Sequence, residues 1–94
     1  MKQFELTVLV SPGLEAEKLS GLITAIEKAV KSVKGKVVTA EDWGEKQLSY
    51  MIKKYDRALF RHFVVELPGI GASQLEGKVK HLPGVLRYLL VVGA

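Results

Sequence analysis

Ninety-four residues suffice for one hydrophobic core and are too few for two, so residues 1–94 read as a single domain. Apolar residues make up 48% of the chain and charged residues 26%, the ordinary balance of a soluble globular protein. No apolar run approaches the roughly 18 residues that span a bilayer. The lack of cysteine excludes disulfides and thiolate chemistry and is compatible with a reducing cytoplasm, and Glu5, close behind Met1 and Lys2, argues against a secretory leader.

The net charge is +4, and it is concentrated: residues 31–62 hold eight bases and four acids. Such a region can meet a nucleic acid or an acidic membrane. It is equally the composition by which lysines solubilise a small domain.

Phe4, Leu6, Val8 and Val10 alternate with Glu5, Thr7 and Leu9, which predicts a strand with one core face. Ser11-Pro12-Gly13 ends it. Leu19, Leu22, Ile23, Ile26, Val30 and Val33 then recur at helical spacing, with Glu15 and Glu17 in the first turn and Lys31 and Lys34 in the last. Gly35 is the expected stop.

A long strand is predicted from Lys36 to about Ile52, with a bulge or bend at Gly44. Lys53 through Asp56 form a turn, and Leu59 through Leu67 make the next strand. Pro68-Gly69-Ile70-Gly71 ends it. A short helix, weakened by Gly77, follows over Ala72–His81. Leu82-Pro83-Gly84 leads into a last apolar strand, Val85–Val92, interrupted by Arg87. The order β-α-β-β-α-β predicts an α+β, ferredoxin-like split βαβ fold. Right-handed crossovers give a four-stranded antiparallel sheet in the order 4-1-3-2, with both helices on one face. The other face is left to solvent or a partner. The expected core includes Leu6, Val8, Leu22, Ile26, Val30 and Val65.

Enzyme signatures fail one by one. Tyr50 and Lys54 match a Tyr-x-x-x-Lys dehydrogenase pattern, but on a strand and with no cofactor-binding half. Gly69-Ile70-Gly71 begins a dinucleotide fingerprint, whose third glycine is replaced by Gln74. His62 and His81 lack metal-ligand spacing, so no metal and no cofactor is expected, and His62 reads as outward or half-buried. No serine has a nucleophile-elbow context. The acylphosphatase use of this fold needs an arginine loop and an asparagine; Ser11-Pro12-Gly13 supplies no arginine and the chain has no asparagine.

The RNA-recognition aromatics are absent too, because Arg57-Ala58-Leu59-Phe60-Arg61-His62-Phe63-Val64 fits that signature poorly. Cations remain. The topology brings Lys53, Lys54, Arg57, Lys80 and Arg87 toward one end of the domain, with Lys2 and Arg61 as secondary candidates. Cations distant in sequence but close in space are suited to phosphates, which position a nucleic acid without reading its bases.

The stretch Trp43-Gly44-Glu45-Lys46-Gln47-Leu48-Ser49-Tyr50-Met51-Ile52-Lys53-Lys54 resembles the central signature of the bacterial small-subunit ribosomal proteins numbered six (S-six). Phe4-Glu5-Leu6, the Pro68 exit after Val65-Glu66-Leu67, and Val85-Leu86-Arg87-Tyr88-Leu89-Leu90-Val91-Val92 are similar to other parts of that family. The chain departs from it at Met51, where a proline is common, at His81-Leu82-Pro83-Gly84, and in stopping at Ala94 without an extended acidic tail. The resemblance implies a non-enzymatic constituent of the cytoplasmic ribosome. It would bind the central domain of small-subunit ribosomal RNA beside ribosomal protein S-eighteen, with no membrane and no small-molecule substrate. The competing classes are a ferredoxin-like ligand-binding module and a small dimeric enzyme.

Overall fold

The computed structural model describes residues 2–93; the expectations about Met1 and Ala94 lie outside them. Its elements are β1 (Lys2–Val10), α1 (Ala16–Ser32), β2 (Lys36–Ile52), β3 (Tyr55–Leu67), α2 (Gly71–Val79) and β4 (Val85–Val92). The strands form one antiparallel sheet in the order β2-β3-β1-β4, which is the predicted arrangement.

Period two in β1 sets the core. Phe4, Leu6, Val8 and Val10 are buried on one face, opposite Val65, Phe63 and their neighbours on β3. Leu22, Ile26, Ala29 and Val30 of α1 and Leu75 and Val79 of α2 pack on that same face. All six core residues expected from periodicity are buried. Each fully buried Leu, Ile or Val contributes about 1.5–3 kcal/mol of apolar transfer, which explains why this face is fixed.

The helix ends differ from the expectation. Glu15 is the residue before α1, with extended backbone and no side-chain cap, so Glu17 is the acid in the first turn. At the other end Lys34, not Gly35, takes the left-handed conformation, at φ 64°. Lys34 N–H donates to the Lys31 carbonyl at 3.0 Å and Gly35 N–H to that of Val30 at 2.9 Å. This is a Schellman closure with lysine in the position glycine usually takes. Gly35 is needed for space instead: a Cβ there would run into Leu67 and lie 2.6 Å from the Glu66 carbonyl oxygen.

The turn after β2 is shorter than predicted. Ile52 pairs with Tyr55, so only Lys53 and Lys54 connect β2 to β3, at φ 49° and 72°. Two positive φ values are what a two-residue hairpin of the type I′ class requires. Helix α2 likewise starts one residue earlier and ends two residues earlier than its apolar pattern indicated.

Pairing of β3 with β1 stops at Leu59–Val10. Beyond it, β2 and β3 continue only with each other, as an arm spanning about Lys46 to Ala58. Between the pairs Gln47–Arg57 and Ile52–Tyr55, residues 48–51 of β2 face Asp56 alone. Extra residues on one strand bend a ribbon and sharpen its twist. Tyr50 lies in that bend and meets Arg87 of β4, so the arm reaches past the end of β1 toward β4.

Candidate nucleic-acid interface

Three of the predicted cations converge. Lys53 from the hairpin turn, Lys80 from the end of α2 and Arg87 from β4 line one recess of about 250 Å³, together with Val85, Leu86 and Tyr88. A Ser11 N–H donated to the Gly84 carbonyl at 2.9 Å holds the start of β4 beside the end of β1, at the same end of the sheet as the arm. All three cations are exposed, and Lys54 stands next to Lys53 in the turn. None of these four has a carboxylate of the described residues within salt-bridge distance.

The remaining candidates are placed differently. Arg57 is exposed on the arm, but its Nε donates to Glu45 Oε2 at 2.8 Å. Arg61 lies on the helix side of the sheet: its Nη2 is 3.4 Å from Asp42 Oδ2, and its buried Nε has no hydrogen-bond partner among the described residues. It borders a groove with Leu19, Ser20, Ile23 and Thr24 of α1. Lys2 begins β1, about 27 Å of strand from Val10 at the arm's end. Arg61 and Lys2 thus stand apart from the convergent group.

The open face of the sheet holds a second feature. Asp42 Oδ1 accepts the Gly44 N–H at 2.9 Å, Gly44 adopts φ 79°, and the register of β2 shifts between these residues. The bulge predicted at Gly44 is present. It lays Trp43 on His62, with ring centroids 4.4 Å apart and planes 11° from parallel. Trp43 is the reason His62 is 6% exposed rather than outward or half-buried. Beneath it, His62 Nδ1 meets the Thr7 hydroxyl at 3.0 Å and Nε2 meets Glu5 Oε1 at 3.2 Å. A ring protonated at Nε2 donates to Glu5 and accepts from Thr7, so both nitrogens are satisfied.

Lys46 lies 5.4 Å from the Trp43 ring centre and 5.3 Å from that of Phe60. Leu89 and Val91 extend the apolar strip across β4, exposed at 60% and 43%. Sequence reasoning missed this cluster, although an Asp followed two residues later by Gly inside a strand was its signal. Among the described residues no group of three His, Cys, Asp or Glu is placed to hold a metal.

Comparisons with known proteins agree with this architecture. The chain matches the family "Ribosomal protein S6" over residues 3–92. The chain belongs to the ribosomal protein S6 family. It is 34% identical to the small ribosomal subunit protein bS6 of Heliobacterium modesticaldum, an alignment covering 97% of this chain and 95% of that one. With bS6 of Nitratidesulfovibrio vulgaris strain DP4 the identity is 29%, over 97% of this chain and 90% of the relative. The crystal structure of 30S ribosomal protein S6 from Thermotoga maritima superposes with a TM-score of 0.90 at 20% identity, covering 98% of this chain and 87% of that one. The C-terminal domain of MgtC from Mycobacterium tuberculosis shares the fold alone, with TM-score 0.64 and 10% identity over 99% of this chain and 88% of that one. Family membership makes the chain a structural component of the bacterial small ribosomal subunit, within the ribosome in the cytoplasm, and not an enzyme.

Proposed function

We propose that this S6-family chain binds small-subunit ribosomal RNA through its basic end while S-eighteen covers its open sheet face. One observation carries the RNA reading: Lys53, Lys80 and Arg87, from three separate elements, border one recess with no carboxylate partner among the described residues. Bringing like charges together costs free energy unless a polyanion neutralises them. Phosphate oxygens are the counterpart that rRNA supplies, and contacts to them fix position without reading sequence. Lys54 and Arg57 flank this group, with Arg57 first having to exchange Glu45 for a phosphate.

The open face supports the protein partner. Trp43, Leu89 and Val91 are exposed there, and Leu9, Phe60 and Val64 are half-buried between them. A contiguous apolar strip with a charged margin at Lys46, Glu5 and Glu41 has the character of a protein-binding surface. A net charge of +4 is small for tight binding to RNA alone, so the pair with S-eighteen is the binding unit.

The test measures affinity for a central-domain rRNA fragment against salt, with S-eighteen present. The variant Lys53→Ala/Lys80→Ala/Arg87→Ala is expected to weaken binding and to lower the magnitude of the salt slope by about 0.7–0.9 per lost contact. Binding to unrelated RNA sequences should weaken by a similar factor. Unchanged affinity with an unchanged slope would move the RNA surface elsewhere on the domain.

A further inference from the structure

We propose that Tyr50 is the positioning residue of this interface. It holds the Arg87 guanidinium and, through it, seats the arm so that Lys53 stands across the recess from Lys80. The inference rests on the RNA-binding reading of that recess.

Apart from the buried Ile52 and Ala58, the arm has little else to place it. Beyond Leu59–Val10 it has no β1 strand to pair with, and its bend leaves residues 48–51 without ladder partners. Tyr50 itself is 60% exposed, so burial does not fix it. Its hydroxyl accepts a hydrogen bond from Arg87 Nη1 at 2.6 Å, and the guanidinium carbon lies 5.6 Å from the centre of its ring. The two residues are 37 apart in sequence, so this contact ties the arm to β4. The hairpin turn begins only three residues after Tyr50, and Lys53 borders the recess that Arg87 also borders.

The chemistry suits a support for a phosphate ligand. A free arginine side chain samples many rotamers and loses that freedom when it binds. Against a tyrosine, the planar guanidinium uses one edge on the hydroxyl and keeps its other N–H groups available for an oxygen acceptor. The hydroxyl carries no charge, so it preorganises the cation without neutralising it, unlike the Glu45 carboxylate that pairs with Arg57. A phosphodiester oxygen entering the recess then meets cations already placed.

The experiment separates positioning from phosphate contact. Tyr50→Phe, Arg87→Ala and the double variant are compared with wild type in the complete chain with S-eighteen. Affinity for the central-domain rRNA fragment is measured against salt, and amide exchange of residues 46–58 is measured without RNA. Tyr50→Phe is expected to weaken RNA binding by about threefold to tenfold, the range of one exposed, charge-assisted hydrogen bond. The salt slope should stay as in wild type, because no cation is lost. Arm amides should exchange faster in Tyr50→Phe. Arg87→Ala should lower both affinity and slope, and adding Tyr50→Phe to it should change nothing further, since the two act as one unit. Wild-type affinity and wild-type arm exchange in Tyr50→Phe would overturn the proposal. So would a Tyr50→Phe effect of equal size with and without Arg87. If wild type shows no salt-dependent RNA binding, the RNA reading fails and this role with it. The amide exchange then still decides whether Tyr50 holds the arm.

Discussion

The two ends of the β2–β3 ribbon are built by different physics. Near the helices, β3 is flanked by β1 and β2, and Phe63, Val65 and Leu67 lie at 1% exposure or less. Beyond Val10 the same ribbon has no third strand, and its buried residues, Ile52 and Ala58, lie outside the main core cluster. The first region is held by apolar area removed from water. The second is held by its own ladder, by burial of only Ile52 and Ala58, by Arg57–Glu45 and by the Tyr50–Arg87 contact. The candidate cations come from both regions and all stay exposed: Lys53 and Lys54 in the turn of the arm, Lys80 at the end of α2 and Arg87 on β4.

Four changes can break or sharpen that comparison. The largest effect is expected in the body: Ile26→Ala should cost about 2–5 kcal/mol in denaturant unfolding, because Ile26 is completely buried. A cost under about 0.5 kcal/mol would mean that α1 does not pack through this face. Gly35→Ala should cost about 1–3 kcal/mol, since its methyl group would meet Leu67 and the Glu66 carbonyl. A neutral result there would show that β2 can shift away from β3 at its start.

Trp43→Ala should cost about 1–2 kcal/mol, from the lost stack and the exposure of His62. Its readout beyond stability is faster solvent exchange at the His62 ring, and slow exchange in the variant would mean that Trp43 is not the cover. The smallest change is in the arm and opposite in sign. Lys53→Asn/Lys54→Gly places residues suited to positive φ in the turn and should stabilise by up to about 1 kcal/mol. Destabilisation would mean that the lysines hold the turn through contacts of their own.

The body was legible in the sequence because burial imposes a period. Phe4, Leu6, Val8 and Val10 repeat by two, and Leu22, Ile26 and Val30 by four, so strand order and core follow from topology rules. What escaped were features that periodicity does not encode. Lys34 takes the left-handed position at the end of α1, and what requires glycine at Gly35 is the space beside Leu67. The two-residue turn was hidden because lysines rarely take positive φ. Charge and topology grouped Arg57 with Lys53, Lys80 and Arg87, and could not reveal that Glu45 lies 2.8 Å from its Nε. Arg61 was displaced by parity: it pairs with Val8 on β1, and so lies on the helix side. Tyr50 was noticed only as part of a pattern, because its role depends on a bend that brings β2 to β4.

The central claim is that the location of the cations, not their number, makes the RNA surface. The most direct measurement compares two triple variants of equal net charge. One is Lys53→Ala/Lys80→Ala/Arg87→Ala. The other is Lys2→Ala/Lys28→Ala/Lys31→Ala, from exposed positions on β1 and α1. With S-eighteen present, rRNA affinity is followed over a salt series for both. The account predicts a slope reduced by about two to three in the first variant and close to wild type in the second. Equal reductions in the two variants would contradict it, because the +4 charge would then act as a whole and the convergence at the arm would have no special part in binding.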